Sequence, residues 1–102
     1  TELPRVCHKT CTVRCPWKIK GALMRYLVET HPNENLELID GVKIINHQND
    51  NWTLILPDAG EPLVHIYANS EDREWVDSNL AKYRYLIQKF IEQEQGLVRS
   101  EL

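Results

Sequence analysis

A chain of 102 residues and 12.0 kDa buries about 65% of its unfolded surface on folding, enough for one small core and too little for two. With 42% hydrophobic and 26% charged residues, the composition is that of a globular domain and excludes intrinsic disorder and fibrous repeats. The 12 Lys+Arg against 15 Asp+Glu give a formal charge of −3, without the basic excess that binding a phosphate backbone needs, so no nucleic acid partner is expected.

No apolar run approaches the roughly 20 residues of a membrane helix, and the first residues lack a basic region leading into an apolar stretch and a cleavage site. We therefore expect no membrane partner and a reducing, cytoplasmic setting. Asn51-Trp52-Thr53 fits the N-glycosylation sequon, a match that means little without a secretory signal. The chain opens abruptly, as a piece of a longer protein does.

Residues 3–15, rich in Val, Thr and Cys, predict an extended strand whose odd positions put Cys7, Cys11 and Cys15 on the inner face. Pro16 opens a helix to about His31, stopped by Pro32, with Leu23, Met24, Leu27 and Val28 at helical spacing beside Trp17 and Ala22. Residues 36–46 read as one strand with a bulge or kink at Asp40-Gly41. Residues 47–51 make a hairpin turn, residues 52–56 a third strand, residues 57–62 a loop and residues 63–68 a fourth strand. Ser70 is the expected N-cap of a final helix, with Glu71 and Asp72 complementing its dipole. Its stripe is Trp75, Val76, Leu80, Tyr83, Leu86, Ile87, Phe90 and Ile91, ending near Gly96 with a frayed tail over 97–102. The order β-α-β-β-β-α predicts an α+β domain spanning 1–102 with a core over about 5–96: a four-stranded, mostly antiparallel sheet with two helices on one face.

Cys7, His8, Cys11 and Cys15 are four soft ligands within nine residues. Structural zinc sites pair ligands across a tight knuckle and bring a second pair from a distant segment. On one extended strand Cys7 and Cys15 stand about 26 Å apart, too far to share an ion, so no metal site is expected and the cysteines read as free, buried small hydrophobes. Cys7 and His8 point to opposite faces and make a poor nucleophile–base pair. His31 and His47 have no motif around them, and His65 reads as a hydrogen-bonded structural residue. The loop of Pro57, Asp58, Ala59, Gly60, Glu61 and Pro62 joins two core strands and presents backbone amides at the sheet edge, either as a nest for an anion or as a plain tight connection.

Around this loop the sequence resembles a family. The runs Glu37-Leu38-Ile39-Asp40-Gly41-Val42-Lys43-Ile44, Asn51-Trp52-Thr53-Leu54-Ile55-Leu56-Pro57 and Glu61-Pro62-Leu63-Val64-His65-Ile66-Tyr67-Ala68 are similar to the C-terminal domain of the α-D-phosphohexomutases, the phosphomannomutases and phosphoglucomutases. The resemblance covers residues 15–90 and implies a TATA-binding-protein-like fold, a domain closing over a sugar-phosphate cleft, and as partners the other domains of a parent chain and a sugar phosphate. It makes Pro57, Asp58, Ala59, Gly60, Glu61 and Pro62 the equivalent of a phosphate-binding loop. Where the family's loop carries an Arg, a Ser and a Thr, this one has Leu56, Asp58 and Gly60. A guanidinium and two hydroxyls are therefore missing and a carboxylate is added, so weak phosphate binding is expected.

The pattern Leu-Pro-Asp-x-x-Glu-Pro-Leu-x-His-x-Tyr-Ala over residues 56–68 further resembles mutase-related domains attached to sugar-1-phosphate nucleotidyltransferases, such as mannose-1-phosphate guanylyltransferase fusions. The family's phosphoserine and Mg²⁺ ligands lie in other domains. No catalytic residue and no cofactor is expected in this one, with Mg²⁺ implied for the parent protein. A non-catalytic regulatory or interdomain packing module is the alternative.

Overall fold

The computed structural model describes residues 6–38, 40–46 and 48–100, with side chains described to residue 96. The first residues of the expected opening strand, Ile39 and His47 lie outside the described residues, as do the last two positions of the expected tail. The elements are β1 (Cys7–Arg14), α1 (Trp17–Glu29), a 3-10 turn (Asn33–Asn35), β2 (Leu36–Leu38), β3 (Val42–Asn46), β4 (Asn51–Pro57), β5 (Leu63–Ser70) and α2 (Arg73–Ser100).

All strands belong to one antiparallel sheet in the order β1-β5-β4-β3-β2. It has five strands where four were expected. The difference lies at Asp40-Gly41, which reverses the chain instead of bulging it: Leu38 pairs with Val42 and Leu36 with Ile44. Asp40 takes φ 61°, a left-handed conformation that a short polar side chain tolerates better than most. At Gly41 a Cβ would stand 2.6 Å from the carbonyl oxygen of Ile55, so the close approach of β4 admits only glycine.

Alternation along the strands sends Val13, Val42, Ile55, Val64 and Ile66 into one core with Cys15, Ile19, Leu23 and Leu27 near or on α1, and Tyr83, Ile87 and Ile91 on α2. Helix α1 carries the chain from β1 at one edge of the sheet to β2 at the other. It ends at Glu29, short of His31, because Thr30 Oγ1 donates to the carbonyl of Tyr26 at 2.8 Å and His31 Nδ1 bonds the carbonyl of Leu27 at 2.8 Å. The Tyr26 carbonyl also keeps its helical bond from Thr30 N at 3.0 Å, whereas the Leu27 carbonyl, which a further turn would have used, is taken by the His31 ring.

Helix α2 begins later than the sequence suggests. Ser70 is still in β5, its Oγ accepting from the Asp72 amide at 2.9 Å, while Asp72 Oδ1 accepts from the amides of Glu74 and Trp75 at 3.0 and 3.3 Å. Asp72 is therefore the N-cap, because its carboxylate is the acceptor that reaches the orphan amides of the first turn. The helix continues through Gly96, where nothing lies within 4 Å of an added Cβ, to Ser100.

Trp17 is 53% exposed, whereas Ile19 and Lys20 turn inward from the same helix. The cysteines are free: Cys15 is buried, Cys7 and Cys11 half-buried. Burial pushes the thiols of Cys11 and Cys15 up, against the opposing charges of Arg84 and Lys20. Among the described residues no helix is long and apolar enough to cross a membrane.

Candidate functional site

The loop between β4 and β5 is short and heavily bonded. Asp58 N donates to the carbonyl of Leu63 at 2.9 Å, and Leu63 N to that of Glu61 at 2.8 Å. The carbonyl of Pro62 accepts from Cys15 N at 2.8 Å, tying the loop to the exit of β1. Pro57 ends β4, Asp58 is half-buried, and Ala59, Gly60 and Glu61 are exposed.

The amides of this loop point at an anion that the loop itself supplies. Gly60 N and Glu61 N donate to Asp58 Oδ2 at 2.9 and 2.8 Å, and Nε2 of His65 donates to the other carboxylate oxygen at 2.8 Å. These bonds, His65 first, hold the Asp58 carboxyl below its ordinary value, as charge-assisted donors to an ionised carboxylate do. The second ring nitrogen of His65 meets Thr12 Oγ1 at 3.2 Å. His65 is thus the hydrogen-bonded residue expected, and its partners fix Asp58 over the nest.

Beneath the loop stands Lys20, 7% exposed. Its ammonium donates to the carbonyls of Asp58 and Glu61, both at 2.6 Å, and lies 3.7 Å from the ring centroid of Trp17. Two outward amides and two inward carbonyls are therefore all paired within the protein. The only sequence sign of Lys20 is a cation one turn after Pro16, and buried lysines are too rare to be expected.

Gly60 has ordinary negative φ, and a Cβ there would lie no closer than 3.8 Å to Asp58 Oδ2. The position accepts a larger residue. Leu56, on the opposite face from Ile55, pairs across the ladder with His65.

The other residues considered from sequence do not converge. Cys7 and Cys11 share a face with the core, whereas His8 lies on the open face, 5.8 and 6.1 Å from the rings of Trp52 and Tyr67. Among the described residues no group of three or more His, Cys, Asp or Glu is placed to hold a metal ion. Asn51 of the sequon is buried within β4.

No family model matches the chain. It is 38% identical over 66 residues to a probable phosphoglucosamine mutase of Methanopyrus kandleri, covering 62% of this chain and 14% of that protein. It is 28% identical over 95 residues to a probable phosphoglucosamine mutase of Pyrococcus furiosus, covering 89% of this chain and 21% of that protein. These matches support a phosphohexomutase-family relationship. The chain spans 14% and 21% of the lengths of these relatives, and neither relative is named a nucleotidyltransferase.

Proposed function

We propose that this chain is a phosphohexomutase-type module, TATA-binding-protein-like in fold, that covers a sugar-phosphate cleft in cytoplasmic hexose-phosphate or nucleotide-sugar metabolism, and that its 57–62 loop covers without clamping the phosphate. The observation that carries this is the Asp58 carboxylate lying on the amides of Gly60 and Glu61. An incoming dianion would have to displace a carboxylate held by three donors, and would meet its charge while doing so. What the loop offers instead is rigidity: Lys20 from below and His65 from the side hold it in one shape. A rigid cover that excludes water and orients a sugar is a recurrent part of such clefts. Catalysis, and any Mg²⁺, belong in this reading to other domains of the parent chain. The 56–68 pattern further supports a parent of the mannose-1-phosphate guanylyltransferase type.

A second reading is a non-catalytic regulatory or interdomain packing module attached to a nucleotidyltransferase. It is favoured by Trp17, 53% exposed beside the internally closed loop, since a large exposed aromatic is the kind of surface a neighbouring domain covers.

The test is titration of the chain with mannose 1-phosphate, read by amide chemical shifts. The wild type should show no saturable shift at Gly60 or Glu61 at millimolar ligand. The variant Leu56→Arg, Asp58→Ser, Gly60→Thr, which restores three donors, should show one at Ala59 and Glu61. Wild-type saturation at micromolar ligand would show a working phosphate clamp and overturn the reading.

A further inference from the structure

At the far end of β4 from the loop, a cavity of about 490 Å³ opens between the β3–β4 hairpin and α2. Its size is that of a small-molecule site. Asn51, Thr53, Trp75, Asn79, Lys82 and Tyr83 are among the residues lining it. We propose that this cavity binds an uncharged polyhydroxylated ligand of monosaccharide size. The proposal goes beyond the reading of the loop and does not rest on it, because Asn51 and Pro57 stand at opposite ends of a strand about 20 Å long.

Asn51 is the central observation. It is 7% exposed and shares the helix-facing side of β4 with Thr53 and Ile55. Its backbone amide is taken by Asn49 Oδ1 at 3.1 Å, but its side-chain amide has no hydrogen-bond partner among the described residues. Among the described residues no fully buried side-chain nitrogen or oxygen lacks a partner, so this amide opens onto the cavity it lines, where a ligand can bond it. Asn79 adds to it. Thr53 Oγ1 donates to Asn79 Oδ1, leaving both hydrogens on Asn79 Nδ2 unengaged among the described residues.

The rest of the wall is fixed. His31 Nδ1 bonds the Leu27 carbonyl at 2.8 Å and so carries its proton there; Nε2 accordingly accepts from the Tyr83 hydroxyl at 2.9 Å. Trp75 supplies an aromatic surface, half-buried. Among the described residues no Asp or Glu lines the cavity, so none of them recruits a cation there. Among the described lining residues Lys82 supplies the one ammonium, 5.2 Å from the Tyr83 ring centroid, and none of the others adds a second cation to hold a phosphate. Side-chain amides present a donor and an acceptor together, the complement of neighbouring hydroxyls, and an indole face suits the C–H face of a sugar ring as apolar lining does in small-ligand sites.

The probes are D-glucose, D-mannose and, as a smaller polyol, glycerol, titrated into the full chain while the side-chain amides of Asn51 and Asn79 and the Trp75 indole N–H are followed by NMR. A hexose should shift all three saturably in the millimolar range, with Gly60 and Glu61 unmoved. Asn79→Ala and Asn51→Ala should each weaken binding about tenfold, the effect of losing one or two net hydrogen bonds. Asn79 is only half-buried on α2, so its variant decides the matter if the Asn51 variant fails to fold. Absence of a saturable shift with either hexose, or binding unchanged in Asn79→Ala, overturns the proposal and leaves a water-filled cavity. A failure here leaves the loop reading intact, since that is read at Gly60 and Glu61.

Discussion

The Lys20 ammonium donates to the Asp58 carbonyl across 2.6 Å, joining the first turns of α1 to a loop 38 residues away. The same nitrogen reaches the Glu61 carbonyl, so one buried side chain holds both ends of the turn whose amides Asp58 covers. The shape of the candidate site depends on this strut as much as on the loop's own residues.

Replacing Lys20 with Met keeps the aliphatic stem and removes both bonds. Hydrogen bonds to a charged group are worth about 1.5–3 kcal/mol, and a buried carbonyl left without its donor adds to the loss. Urea denaturation of Lys20→Met should show a loss of about that size. Amide exchange should accelerate at residues 58–61 beyond the global effect. Wild-type stability and wild-type exchange together would mean the loop stands without the strut.

Asp58 gives a pH dependence of defined sign. Its folded carboxyl lies below the ordinary value of 3.8, so the unfolded state binds the proton more readily. The contribution is fully present above the ordinary value and is lost as pH falls through the lower folded value. Asp58→Asn should therefore be less stable than wild type at neutral pH and show a smaller loss on acidification below 3.8. Parallel acid limbs for the two proteins would remove Asp58 from the account.

On α2 the expected cost follows burial. Ile87 is fully buried, and Ile87→Ala should cost about 2–5 kcal/mol. Phe90 is half-buried against Tyr26, ring centroids 4.9 Å apart, so Phe90→Ala should cost less than Ile87→Ala. Thermal or urea unfolding of the pair checks the order.

Gly41→Ala brings a methyl group to 2.6 Å from a backbone oxygen of β4, and backbone yields less readily than a side chain. Overpacking of this kind typically costs about 1–3 kcal/mol. Gly60→Ala, with its nearest atom at 3.8 Å, should change stability little by comparison.

Where apolar periodicity carried the information, the fold was legible from sequence: α1, α2 and the strands around Ile55 and Ile66 fall where spacing places them. Asp40-Gly41 was misread because one pair of residues serves both a bulge and a hairpin, and β2 is only three residues long, too short for alternation to settle the choice. Ser70 and Asp72 are both good caps, and only the observed amide directions separate them. The connection between β4 and β5 was legible as a loop, but not what fills it. That depends on His65 reaching back across the ladder and on Lys20, whose partners are backbone carbonyls with no signature in the sequence. The polar cavity was missed for a similar reason. Asn51 and Asn79 lie 28 positions apart in the chain, and only the packing of α2 over β4 makes them neighbours.

The central claim, that the loop amides are engaged by the protein's own carboxylate, is tested most directly by following the amide protons of Gly60 and Glu61 together with the Asp58 carboxyl carbon during an acid titration. All three should move with one midpoint below the ordinary carboxylate value of 3.8, and both amide protons should shift upfield as the carboxylate is neutralised. Amide shifts indifferent to the Asp58 titration, or an Asp58 midpoint at or above 3.8, would contradict the account and leave the nest open to a phosphate.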